Sequence, residues 1–151
     1  MRLRKRAAAT VATLIAAFLL PLAAQAPAQA AATAWTPGIS PLYDGEWVQR
    51  DIQGGDDADR ALKICALASG IACVSVGQGD GRQSIFHLYR CGTRSLSNFI
   101  DALSVLNNQT GGAQVRFTGP NVGTYRAPAN PNVITVFPNA ATYDFNTMSV
   151  C

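Results

Sequence analysis

His87 is the single histidine of this 151-residue chain, and it is the one side chain whose ordinary pKa lies close to neutral pH. Together with a serine and a carboxylate it would make a hydrolytic triad. Such a site needs the three groups in mutual hydrogen-bond reach, and no Gly-x-Ser-x-Gly elbow occurs to present a nucleophile. A carboxylate pair from Asp80, Asp101 or Asp144 could instead act as acid and base on a glycosidic bond, but their spacing does not specify a distance across the fold. His87 itself lies in Phe86-His87-Leu88-Tyr89, where a β-strand would flank it with bulky neighbours, and it reads as a histidine at the edge of the core. Gly77 to Gly81 lacks the Lys and the helix that would complete a phosphate loop. The expectation is a chain with no catalytic residues and no enzymatic activity.

Asp56, Asp57 and Asp59 could offer oxygen ligands to a hard cation, yet three neighbouring acids more simply mark the solvated first turn of a helix. Cys65, Cys73, Cys91 and Cys151 are spaced too irregularly for a zinc site and read as two disulfides. Four cysteines allow about three pairings, and sequence alone does not choose among them. No metal and no cofactor is expected.

The elements that must position these residues begin after an export signal. Arg2, Arg4, Lys5 and Arg6 form a cationic start, Ala7 to Ala24 is uncharged, and Ala28-Gln29-Ala30 offers small residues to a signal peptidase. Residues 1–30 therefore read as a signal peptide and the mature chain as secreted and extracellular. The leader carries four of the twelve Lys and Arg residues and none of the nine Asp and Glu, so the mature net charge is −1. The eight remaining basic residues are scattered from Arg50 to Arg126, which argues against nucleic acid or an anionic membrane as partner. No later segment is long and apolar enough to span a bilayer, so no membrane association is expected after cleavage.

Residues 31–151 amount to one domain's length of chain, and a monomer is expected. Residues 31–50 show no repeating apolar period and read as a flexible tail, with the domain proper at 51–151. Within that tail Trp47 is expected to pack on the domain edge and Trp35 to be loose. A sharper reading makes the tryptophans a stacking platform for a sugar or peptide.

The spacing predicts a short helix or turn over Asp56 to Lys63, followed by extended chain. Beyond Gly70 the texture is all-β. Candidate strands are Ala72 to Val76, Ser84 to Cys91, Leu103 to Leu106, Gln114 to Thr118, Val133 to Phe137 and Met148 to Cys151. The chain also repeats itself. Ile100-Asp101-Ala102-Leu103-Ser104-Val105 and Phe145-Asn146-Thr147-Met148-Ser149-Val150 share one pattern at a separation of 45 residues. Val74-Ser75-Val76 leading to Gly81 likewise parallels Val115-Arg116-Phe117 leading to Gly123. Two such units, each too small to bury a core alone, suggest a paired Greek-key sandwich.

Two Greek-key units that each close on an Asp- or Asn-x-x-Ser segment resemble the βγ-crystallin fold. Within it, Cys65 and Cys73 followed by the glycine-rich Gly77 to Gly81 resemble small secreted bacterial inhibitors of the Streptomyces metalloproteinase-inhibitor type. Tyr89-Arg90-Cys91-Gly92-Thr93 and Ser95 to Phe99 are similar to segments of the same kind of protein, so the likeness spans Cys65 to Cys151. It implies an all-β, two-Greek-key sandwich stapled by disulfides. Proximity along the chain and the resemblance both favour pairing Cys65 with Cys73, leaving Cys91 with Cys151.

The resemblance also implies a function, an inhibitor of an extracellular protease. Microbial relatives of the fold bind calcium through Asp/Asn-Asp/Asn-x-x-Ser/Thr-Ser, but here Ile100 and Phe145 replace the first acid and Val105 and Val150 the last serine. Calcium needs six to eight oxygens, roughly, so most affinity should be lost. The inhibitors carry their reactive bond beside a second local disulfide, and no cysteine lies between Cys91 and Cys151. The nearest local candidate for a partner-binding loop is Arg126, Ala127, Pro128, Ala129, Asn130 and Pro131, where two prolines restrict the backbone. The competing expectation is a non-catalytic binding domain for a cell-wall or surface partner.

Overall fold

The computed structural model describes residues 33–151, so the signal-peptide reading lies outside the described residues. The elements run β1 (Gly38–Ser40), β2 (Trp47–Gln53), α1 (Asp56–Cys65), β3 (Ile71–Gly77), β4 (Arg82–Leu88), β5 (Gly92–Ser97) and β6 (Leu103–Asn108). They continue with β7 (Gln114–Thr118), β8 (Tyr125–Pro128), β9 (Asn130–Phe137), α2 (Asn139–Thr142) and β10 (Thr147–Val150). The protein is an all-β sandwich of two antiparallel sheets. One has the order β1-β5-β10-β7-β8 and the other β2-β4-β3-β6-β9.

This order is the internal repeat made physical. β3–β6 form the first unit and β7–β10 the second, and each unit gives its third strand to the other's sheet. β5 thus pairs with β10, and β9 pairs with β6. Neither unit can close its core alone, which is why the pattern recurs in sequence. The paired motif residues occupy equivalent places: Leu103, Val105, Met148 and Val150 are all buried between the sheets. Phe117, Phe137, Phe145 and Tyr125 meet there edge-on or tilted, at centroid separations from 5.1 to 6.2 Å.

β3 is the central strand of its sheet and is buried on both faces. Ala72, Val74 and Val76 face the main core, while Ile71 and Cys73 face a second cluster under α1. Leu62, Cys65 and Ala66 seal that cluster against Ile85 and Leu106, and the Cys65–Cys73 disulfide bolts the helix to the strand. α1 starts where Gly55 adopts φ 66°, so Gly55 is the cap and Asp56 the first helical residue. Asp56, Asp57 and Asp59 are exposed in the first turn and Lys63 lies in the last, which suits the helix dipole at both ends. The Cys91–Cys151 disulfide joins the chain just before β5 to the residue just after β10.

Residues 33–50 are not a tail. β1 pairs with β5 and β2 with β4, so both extend the sheets. Two anchors explain the order. Glu46 and Arg94 form an ion pair at 2.6 Å with both side chains fully buried. The Glu46 carboxylate also accepts from the backbone N–H groups of Tyr43, Tyr89 and Arg90, and Arg94 lies over the Tyr43 ring. Trp35, expected to be loose, donates its indole N–H to the Gly77 carbonyl at 3.1 Å and packs its ring on Gly79. Composition hid this because the anchors are single residues far apart in sequence.

Candidate functional site

The outer face of the β2-β4-β3-β6-β9 sheet carries an exposed aromatic and aliphatic surface. α1 lies across its middle, touching β2, β3, β4 and β6. On the β2 and β4 side of the helix is a groove of about 430 Å³, walled by Trp47 and Gln49, floored by His87 and Tyr89, and closed by Ile64 and Leu67. On the β6 and β9 side is a smaller depression of about 210 Å³ with Lys63, Pro131 and Ile134 in its lining.

Strand pairing builds the groove. Trp47 stands directly opposite His87 in the antiparallel β2–β4 ladder, so their side chains leave the sheet on one face as neighbours. The rings stack with centroids 3.7 Å apart and planes 14° apart. Trp47 remains 47% exposed, whereas His87 is only 7% exposed. Burial holds the His87 pKa below its usual value, so the imidazole is neutral at physiological pH. Its Nε2 is buried and has no hydrogen-bond partner among the described residues. Across from the tryptophan, Ile64 is 61% exposed and Leu67 82%, with Tyr89 at 40% completing an apolar rim. Among the described residues, none that lines the groove carries a charge.

Such a surface stacks on flat or aliphatic groups and has few polar atoms with which to do more. It holds no carboxylate beside His87. The three aspartates singled out in the sequence are committed elsewhere. Asp80 is held below the usual carboxylate range chiefly by its side-chain hydrogen bond from Arg82. Asp101 accepts from the Gly79 N–H at 3.2 Å, bracing the turn after β3. Burial pushes Asp144 up, but hydrogen bonds from Asn121 and Val122 outweigh it and the net shift is downward.

Asp144 also corrects the repeat in detail. Asn146, which the sequence pattern pairs with Asp101, bonds the Thr147 hydroxyl instead. The turn-bracing role in the second unit falls to Asp144, two residues earlier, because Gly119 comes close enough to touch it as Gly77 touches Asp101. Backbone N–H groups in each turn need an acceptor, and any carboxylate in reach supplies it.

The segment Arg126 to Pro131 is not a loop. Tyr125–Pro128 and Asn130–Phe137 are strands of opposite sheets, with Ala129 at the crossing. Ala127 is fully buried, and Arg126, Pro128, Asn130 and Pro131 are exposed on extended backbone. The segment is rich in proline where it crosses between layers at the rim, a place that needs few ladder donors. It contributes Pro131 to the smaller depression and nothing to the aromatic groove.

No family model, curated protein or solved structure matches the chain. The groove was half-legible in sequence: Trp47 suggested a stacking platform and His87 a core-edge histidine. That the two meet depends on a strand, β2, which its polar sequence concealed.

Proposed function

We infer that the protein is a secreted, non-catalytic binding domain that engages an extracellular partner through the groove beside α1. One observation carries the reading: an indole that is 47% exposed is held stacked on a buried neutral imidazole, facing the exposed Ile64 and Leu67. Large apolar side chains left together in water mark contact surfaces. Two disulfides and the export signal support an oxidising, extracellular setting. Among the described residues no helix is long and apolar enough to cross a membrane.

Kinship with βγ-crystallin-like proteins, and with the secreted protease inhibitors among them, is supported by the exchange of third strands between the two Greek-key units. One observation favours inhibition as a second reading. Arg126, Pro128, Asn130 and Pro131 are exposed on extended backbone, the conformation proteases grip. A panel of metallo- and serine proteases separates the readings. The expected result is full protease activity at equimolar mature, oxidised protein. Stoichiometric inhibition, with slow cleavage mapped by mass spectrometry to Arg126–Pro131, would overturn the binding-domain conclusion.

A further inference from the structure

β2 is the end strand of its sheet, so one row of its backbone N–H and C=O groups has no strand partner among the described residues. The regular part of that edge is Trp47 to Gln49, before the irregularity that separates Gln49 from Ile52. Trp47 and Gln49 are also the residues whose side chains wall the aromatic groove. The end strand and the apolar groove therefore share Trp47 and Gln49. The other end strands are less suited: β8 and β9 carry Pro128 and Pro131, which lack a donor, and no residue of β1 lines the groove.

Resting on the groove reading, we propose that the occupant is an extended peptide segment of a partner protein that adds as a strand to β2 and seats one uncharged apolar or aromatic side chain against Trp47. Main-chain bonds to the edge would supply affinity, and the groove specificity. The lining decides the side chain's chemistry. With no charge among the described lining residues, a charged group entering the groove would lose hydration without gaining a partner. The volume of about 430 Å³ accommodates a ring.

The test is selection from a phage library of random linear peptides on mature, oxidised protein, followed by amide hydrogen exchange with one synthetic winner. The expected winner carries an apolar or aromatic residue, slows exchange at β2, and binds at least about tenfold more weakly to Trp47→Ala. Leu67→Glu should weaken it similarly; at 82% exposure this change leaves the core intact. N-methylation of alternate peptide amides should abolish binding. A winner that needs Trp47 but leaves β2 exchange unchanged overturns strand addition and keeps the groove. So does saturation of the groove by an N-acetylglucosamine tetramer with no peptide selected. Winners indifferent to both Trp47→Ala and Leu67→Glu overturn the proposal and the groove reading together.

Discussion

The indole of Trp47 stacks on the imidazole of His87, centroids 3.7 Å apart, and the histidine below it is 7% exposed, its Nε2 unpartnered among the described residues. A neutral ring buried in this way makes folding depend on pH. Above about pH 6.5 His87 is neutral in both folded and unfolded chains and contributes nothing. As pH falls through that value the unfolded chain takes the proton first, because burial depresses the folded pKa. Stability should therefore drop below about pH 6.5 and level off once the folded pKa is passed. Urea midpoints for the wild type and His87→Phe should diverge only on the acid side of that value. Parallel curves would contradict the burial account.

The Glu46–Arg94 pair should behave as a coupled unit. Arg94→Met strands a fully buried carboxylate and is expected to cost about 3–5 kcal/mol. Adding Glu46→Leu should restore part of that loss, so the double variant is less damaged than the two single costs summed. Denaturant unfolding of the four proteins checks this, and simple additivity would refute the coupling.

The two disulfides should differ in weight. Cys91–Cys151 closes a separation of 60 residues and Cys65–Cys73 one of 8. In the chain-entropy account their removal costs about 4 and about 2.5 kcal/mol respectively. Paired Cys→Ser variants compared by urea unfolding give the ranking, and the reverse order would count against it.

Gly79 has φ 79° and lies under the Trp35 ring, while Gly111 has φ 68° with nothing close to its missing side chain. Gly111→Ala should cost only the left-handed strain, about 1–2 kcal/mol. Gly79→Ala should cost more, and in a Trp47→Phe background it should shift Trp35 emission toward the red. Equal costs would mean that Trp35 is not an anchor.

Much of this architecture is legible in the residues. The six candidate strands correspond to β3, β4, β6, β7, β9 and β10, and the acidic start of α1 falls where expected. These elements alternate or cluster apolar residues, which is the pattern burial demands. β5 escaped because Gly92–Ser97 puts Arg94, not an apolar residue, at its buried position, and its partner Glu46 is 48 residues away. β2 escaped because an end strand with five of its seven residues exposed has little need of apolar alternation. β8 ends in a proline at the layer crossing. Losing β2 from view also lost the groove, since Trp47 meets His87 only through that ladder.

The proposed binding surface is the groove beside α1 and not the Arg126–Pro131 crossing. Two-dimensional NMR of the mature, oxidised protein titrated with N-acetyl-phenylalaninamide tests it with a neutral probe. Shift changes are expected on Trp47, His87, Ile64 and Leu67, and none on Arg126 to Pro131. Changes confined to Arg126–Pro131, or a groove unmoved up to the solubility of the probe, would contradict it.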